Sequence, residues 1–283
     1  MANNDLGGLS IARLQEMDDF FHKTYIEPKK LAGLITSVYR KGELAHCSPM
    51  GFKDRDNHTE IDKDTIFRIY SMTKPITSIC LMMLYEKGLF QLDDPVHKYI
   101  PDFKSLEVYV SGKDPDFITK PVERPMNIHD LLTHQSGFTY DFMQTTEVDF
   151  AYGKREIMRN KDKSLEEVVK ELSSLPLQFS PGTKWNYSVS VDVCGYLIQL
   201  LSGYSLDDFF NKYIFDPLGM KDTDFYVPVE KINRLASNYL YNPAGIPTLI
   251  SSQQQEDITQ KPKLLSGGGG LMSTTDDYLQ FCK

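Results

Sequence analysis

The feature that most constrains this chain is a proline, Pro75, at the head of an apolar run. Without an N–H it sits harmlessly only in the first turn of a helix, where those groups have no intrahelical partner. The helix therefore begins at or just before Ser71-Met72-Thr73-Lys74. Ser71 and Lys74 are three residues apart, so hydroxyl and ammonium project from one face of the first turn. That places a nucleophile beside a possible base.

Upstream, Thr65 to Tyr70 alternates like a short strand, which puts Ser71 at a strand-to-helix junction. Downstream, Ile76, Ile79, Cys80, Leu81, Met82, Met83, Leu84 and Tyr85 are apolar nearly all round, the pattern of a central helix, and Gly88 supplies its stop. A lysine at the mouth of such a helix loses water, which favours the neutral, proton-accepting form. The helix N-terminus favours negative charge developing near Ser71. Chance supplies about one S-x-x-K in a chain of this size, so the motif gains its meaning from the residues that accompany it.

The 283 residues, 41% hydrophobic, suffice for one large or two ordinary domains with a substantial core. With 31 basic against 39 acidic residues the formal charge is -8. No basic run offsets it, so neither nucleic acid nor an anionic membrane is an expected partner, and a small-molecule substrate is. Met1 to Ser10 is polar and lacks the order of a secretory signal, and no apolar stretch is long enough to span a bilayer, so a cytoplasmic location is expected. Cys47, Cys80, Cys194 and Cys282 lie scattered, as free thiols do. The histidines have neither H-E-x-x-H nor clustered spacing, and no metal or other cofactor is expected.

In chain order, Leu9 to about His22 has helical spacing with Ser10 as N-cap. Leu31–Tyr39 and Glu43–Gly51 form a hairpin through Arg40-Lys41-Gly42. After Gly88, prolines break the chain into pieces without convincing strand alternation, the start of a mostly helical region. In it, Asn127 caps Ile128 to His134, Ser164-x-x-Glu167 is a capping box for a helix to about Leu175, and Asp192–Ser202 and Ser205–Tyr213 follow. Asn238–Gln260 reads as a long surface loop. Ser273-Thr274-Thr275-Asp276-Asp277 starts a last helix after the glycines at 267 to 270, which lack a phosphate-binding pattern and fit a strand packed closely beside the nucleophile helix. Asp93 and Asp94 are turn formers, His134 has a structural role, and Trp185 is more often core than cleft.

Taken together, Ser71-Met72-Thr73-Lys74, Leu92-Asp93-Asp94-Pro95, Leu131-Leu132-Thr133-His134-Gln135-Ser136-Gly137-Phe138, Trp185-Asn186-Tyr187-Ser188 running on to Tyr196, and Gly268 to Tyr278 occur in an order that resembles the serine beta-lactamase-like hydrolases. The likeness is greatest to the family VIII esterases, relatives of class C beta-lactamases, and runs from about Phe67 to the last residue.

The resemblance implies an α+β fold of the beta-lactamase/transpeptidase type, an antiparallel sheet flanked by helices with a mostly helical inserted domain. Expected divisions are 1–90 for the N-terminal part of the α/β domain with the nucleophile helix, 91–265 for the helical domain, and 266–283 for the start of the C-terminal part. It further implies Ser71 as nucleophile, Lys74 as its helical neighbour and Tyr187 as the tyrosine of the second motif. A serine hydroxyl needs a base, and either a desolvated lysine or a tyrosinate beside an ammonium serves. In the family a third motif on a late strand, K-T-G, W-x-G or H-x-G, supplies a second oxyanion donor beside the Ser71 N–H. The sequence stops before such a strand, which leads us to expect missing C-terminal strands and little activity from these 283 residues alone. Tyr187-Ser188-Val189 lacks the amide of a lactamase Y-x-N and favours ester over lactam hydrolysis. The alternatives are a non-catalytic binding or scaffold protein of the penicillin-recognising fold and a beta-lactamase or D-aminopeptidase-type amide hydrolase.

Overall fold

A computed structural model describes residues 6–242, 245, 247–250 and 257–283; residues 1–5 of the polar N-terminus and much of the stretch read as a loop after Tyr241 lie outside the described residues. The chain runs α1 (Ile11–Phe21), β1 (Gly33–Arg40), β2 (Glu43–Asp54), β3 (Thr59–Glu60), β4 (Ile66–Arg68), α2 (Thr73–Glu86), β5 (Glu107–Lys113), β6 (Asp116–Pro121) and α3 (Ile128–Leu132). Then come α4 (Glu147–Lys154), α5 (Leu165–Leu172), α6 (Ser190–Ser202), α7 (Leu206–Phe210), β7 (Tyr239–Tyr241), β8 (Pro247–Leu249), β9 (Met272–Thr274) and a C-terminal helix, Thr275–Cys282. No described helix is long and apolar enough to cross a membrane.

Two compact units result. One comprises Met1–Arg68, Leu218–Lys261 and Met272–Lys283; the other comprises Ile69–Pro217 and Pro262–Leu271. These boundaries do not coincide with breaks at 90 and 265, because α2 packs against α6 and so joins the helical unit.

The first unit is built on the β1–β2 hairpin, antiparallel from Gly33 opposite Gly51 to Arg40 opposite Glu43. Its turn is as the sequence predicts: Lys41 and Gly42 both take positive φ, 53° and 82°, the twist that a two-residue hairpin loop needs. Ser10 caps α1, and Asp18 of that helix accepts from His46 Nε2 (2.9 Å) on β2, fixing the helix on the hairpin. β4 pairs antiparallel with β9, Phe67 opposite Ser273, over a small cluster of Ile66, Val227, Ile258 and Met272. Where the sequence suggested only a loop, Tyr239–Tyr241 pairs with Pro247–Leu249; three-residue strands are too short to register as alternation. Thr274 caps the C-terminal helix by accepting from the Asp277 N–H (3.1 Å).

In the second unit, α6 is the central helix. Val191, Val193, Cys194, Leu197 and Ile198 are buried on it, and α2 contributes Ile76, Cys80, Leu81 and Leu84. Full burial of each large aliphatic side chain is worth about 1.5–3 kcal/mol. Three capping boxes set helix starts around this pair: Asn127 with Asp130, Ser164 with Glu167, and Thr146 with Asp149 at the head of α4, a helix the sequence reading did not identify. The region after Gly88 also holds a hairpin that the proline-rich texture concealed. Its strands β5 and β6 pair antiparallel, Glu107 opposite Pro121, around the turn at Asp114-Pro115.

Candidate active site

The site is assembled within the second unit, from the head of α2, the segment leading into α6, and two loops. Tyr70 adopts a left-handed backbone, φ 44°, unusual for a bulky side chain and a local strain at the tight turn before Ser71. A single 3₁₀ turn, Tyr70–Met72, precedes α2, so Ser71 stands one turn ahead of the helix proper and is exposed. Pro75 occupies the first turn of α2, as its missing N–H requires.

The three residues expected together are together. Lys74 Nζ lies 3.3 Å from Ser71 Oγ and donates to it, while Ser71 Oγ and the Tyr187 hydroxyl share a short hydrogen bond. Lys74 is 9% exposed, as a lysine at the mouth of a buried helix should be. Besides Ser71, Nζ donates to the Gly268 carbonyl (2.6 Å) and the Tyr140 hydroxyl (3.2 Å). Three acceptors around one nitrogen match the three protons of an ammonium. The Tyr187 ring lies 4.5 Å from Nζ, a cation–π distance.

Tyr187 is carried by an irregular segment after Pro181-Gly182. The Asn186 N–H donates to His134 O (2.9 Å), Asn186 Nδ2 to Phe138 O (2.9 Å), and the Ser188 N–H to His134 Nδ1 (3.3 Å). Because Nδ1 receives an N–H, the neutral ring carries its proton on Nε2. Burial first, and the Lys74 charge second, push the imidazole down from 6.5 to about 4, so His134 is an uncharged wall at neutral pH. Its ring packs on Tyr187 at 4.9 Å. Trp185 is 66% exposed and stacked beside Tyr187 at 6.5 Å, so it belongs to the mouth of the site rather than to a core.

The glycine segment forms a turn, not a strand, and is bonded to α2 along its length. Thr77 Oγ1 donates to Gly267 O (2.7 Å), Lys74 to Gly268 O, and the Leu271 N–H to Thr73 Oγ1 (3.1 Å). A Cβ on Gly268 would fall on the Asp192 carboxylate and within 2.9 Å of the Tyr140 hydroxyl, so only glycine fits.

Two members of the site were not found from sequence. Tyr140, stacked on Phe142, accepts from Lys74 and donates to Asp192 Oδ2 (3.3 Å). Asp192, in the first turn of α6, is 1% exposed; its Oδ1 accepts from Ser266 Oγ (2.6 Å) and the Gly268 N–H (2.9 Å). Burial raises its carboxyl, and the donors from Ser266, Gly268 and Tyr140 together with the Lys74 charge oppose that rise. The available signal was an acid between Val191 and Val193 in a mostly apolar helix. Asp94, by contrast, accepts from Tyr99 OH (2.6 Å), the Gln91 N–H and Lys98, and is a turn former. Among the described residues no cluster of His, Cys, Asp or Glu has the makings of a metal site, and the cysteines are free.

Comparison with known proteins identifies the family and the fold. The chain is 31% identical over 89% of its length to an uncharacterized protein of Mycobacterium tuberculosis, and 31% identical over 77% of its length to esterase EstB of Burkholderia gladioli. It spans 62% and 53% of the length of those two relatives. Among solved structures, EstCE1, a hydrolase with promiscuous acyltransferase activity, superposes with a TM-score of 0.80 at 24% identity, covering 95% of this chain and 71% of that one, which establishes the beta-lactamase/transpeptidase-like fold. The family model described as Beta-lactamase matches residues 21–283, and on that match the chain belongs to the Beta-lactamase family.

Proposed function

We propose that this chain carries the acyl-transfer centre of a serine carboxylesterase that cleaves carboxylic esters of small molecules. The observation behind the reading is the hydrogen bond between Ser71 Oγ and Tyr187 OH, made while Lys74 donates to three acceptors. A lysine engaged as donor on all sides is poorly placed to receive a proton. Tyr187, sharing a hydrogen bond with Ser71 and lying against the ammonium, is the better acceptor.

In the reaction, Tyr187 acts as the tyrosinate beside the Lys74 ammonium, and Ser71 Oγ attacks the ester carbonyl as its proton passes to the Tyr187 oxygen. The tetrahedral intermediate collapses when that proton is delivered to the leaving alcohol, giving an acyl-Ser71. Water, deprotonated by the same tyrosinate, then attacks the acyl carbonyl, and the proton is returned to Ser71 Oγ as the Oγ–acyl bond breaks and the acid leaves. The Ser71 N–H, at the positive end of α2, serves as one oxyanion donor, a type of contact worth about a hundredfold or more in rate. Ester rather than lactam substrates are favoured because Val189, at the third position of the Tyr187 motif, is apolar and fully buried and offers no amide to hold a lactam side chain. An alcohol in place of water would turn the acyl-Ser71 into a transfer intermediate, a reaction in keeping with the promiscuous acyltransferase activity of EstCE1.

The test is turnover of p-nitrophenyl esters by the natural full-length protein and its variants. Tyr187→Phe should lower kcat by about 10²–10⁴-fold. Lys74→Arg, which keeps the charge but removes a practicable acceptor, should retain more activity than Tyr187→Phe. The reverse order would assign the base to Lys74, and full activity in Ser71→Ala would end the proposal.

A further inference from the structure

Asp192 is a buried carboxylate for which the reaction above has no use. A carboxylate taken out of water is costly unless paired and hydrogen-bonded. Here two separate bridges, each one residue long, connect it to the same lysine. In one, the Tyr140 hydroxyl accepts from Lys74 Nζ (3.2 Å) and donates to Asp192 Oδ2 (3.3 Å). In the other, the Gly268 residue accepts from Nζ at its carbonyl (2.6 Å) and donates its N–H to Asp192 Oδ1 (2.9 Å).

The remaining polar neighbour of Asp192 is Ser266, donating to Oδ1, and the carboxylate sits in the first turn of α6, where the helix favours negative charge. Cys194, fully buried on the same helix, has its thiol pushed up by burial and then by the Asp192 charge, and bears no charge. Described titratable groups that interact with Lys74 include Tyr140, Tyr187, Asp192 and His134, and burial keeps the His134 imidazole neutral. Asp192 is therefore the one acid near Lys74 among these groups.

We propose that Asp192 is a positioning residue for the acyl-transfer centre, the counter-charge that, through Tyr140 and the Gly268 peptide, holds Lys74 as an ammonium aimed at Ser71. The inference rests on the reading of Ser71 as nucleophile. It assigns three functions to one carboxylate. It fixes the glycine turn whose carbonyl orients Nζ, it orients the Tyr140 hydroxyl so that its lone pair faces Nζ, and it balances the charge of a buried lysine. Charge balance separates this role from simple packing, since an amide of the same shape keeps the volume and one of the two acceptor oxygens but cannot offset a cation.

The experiment measures the pH dependence of covalent labelling of Ser71 by a fluorophosphonate, and of p-nitrophenyl ester turnover, in the natural full-length protein, Asp192→Asn and Tyr140→Phe. Loss of the counter-charge removes what holds the ammonium aimed at Ser71, so the alkaline limb should move to lower pH by about one unit or more in Asp192→Asn. At the optimum kcat should fall about tenfold, with KM within about twofold, because the lost interaction acts on the reacting groups. Tyr140→Phe cuts one bridge and keeps the other; the limb should move the same way by less. Should Asp192→Asn not fold, Tyr140→Phe, which retains the ring and its stacking on Phe142, decides alone. Folded variants with the parent's alkaline limb overturn the role of Asp192 while leaving Ser71 intact. An unlabelled parent overturns the nucleophile and this inference together.

Discussion

Asp149 and Asp192 are both carboxylates with almost no exposure, in the same unit of the molecule, yet their surroundings differ in kind. Asp149 accepts from Thr139 Oγ1 (2.7 Å), Gln178 Nε2 (2.5 Å), the Thr145 N–H and hydroxyl (2.9 Å each) and the Thr146 N–H (3.0 Å). Those donors are neutral and belong to the start of α4 and its neighbours, a self-contained knot. Asp192 has three donors, and two of its contacts lead on to Lys74. Burial alone therefore does not mark a functional acid. What distinguishes Asp192 is that its partners are themselves bonded to the proposed chemistry.

The contrast can be broken most forcibly at Asp149. Asp149→Ala leaves buried donors without an acceptor and should cost about 3 kcal/mol or more in unfolding free energy, while the pH profile of any surviving activity stays that of the parent. A moved profile would erase the distinction between the two acids.

Glycine substitutions probe the same two regions. Gly268→Ala drives a methyl into the Asp192 carboxylate and should reduce ester turnover about tenfold or more, by displacing the carbonyl that holds Lys74. Gly153→Ala in α4 meets only the Asp141 Cβ, at 3.7 Å, and should leave activity unchanged while adding up to about 1 kcal/mol of stability. Urea unfolding and steady-state kinetics on the pair give both readings.

A smaller effect is expected from His134. The unfolded imidazole takes a proton near 6.5 and the folded one only near 4, so between these values the unfolded chain binds more protons. The contribution is complete above pH 6.5 and is lost as the pH falls toward 4, by about 1–2 kcal/mol after allowance for the ring's partial exposure. Urea unfolding at pH 7 and at pH 4.5 should register that loss in the parent and not in His134→Asn. Equal losses in both would place the acid sensitivity elsewhere.

What could be read in advance was local. Pro75 fixed the head of α2, Ser10, Asn127 and Ser164 announced helix starts, and Lys41-Gly42 announced a hairpin, because each signal acts within a turn of the chain. Ser71, Lys74 and Tyr187 were reached through ordered motifs. Tyr140 and Asp192 were not, since they meet Lys74 and each other only through folding, across sequence separations of 66 and 52 residues. The hairpin β5–β6 was hidden by prolines and charged residues that are compatible with two exposed strands but give no apolar alternation. The glycine turn illustrates a partial reading: close packing was legible, whereas the partners were not, because a glycine run says that something approaches without saying what.

The central claim is that Ser71 is a nucleophile activated in place. It is tested most directly by treating the natural full-length protein and its Ser71→Ala variant with a fluorophosphonate, digesting both, and weighing the peptide that contains position 71. The account predicts one phosphonyl adduct on Ser71 in the parent and none on the alanine peptide. An unmodified Ser71 peptide in a folded parent, or equal labelling of both proteins at another residue, would contradict it.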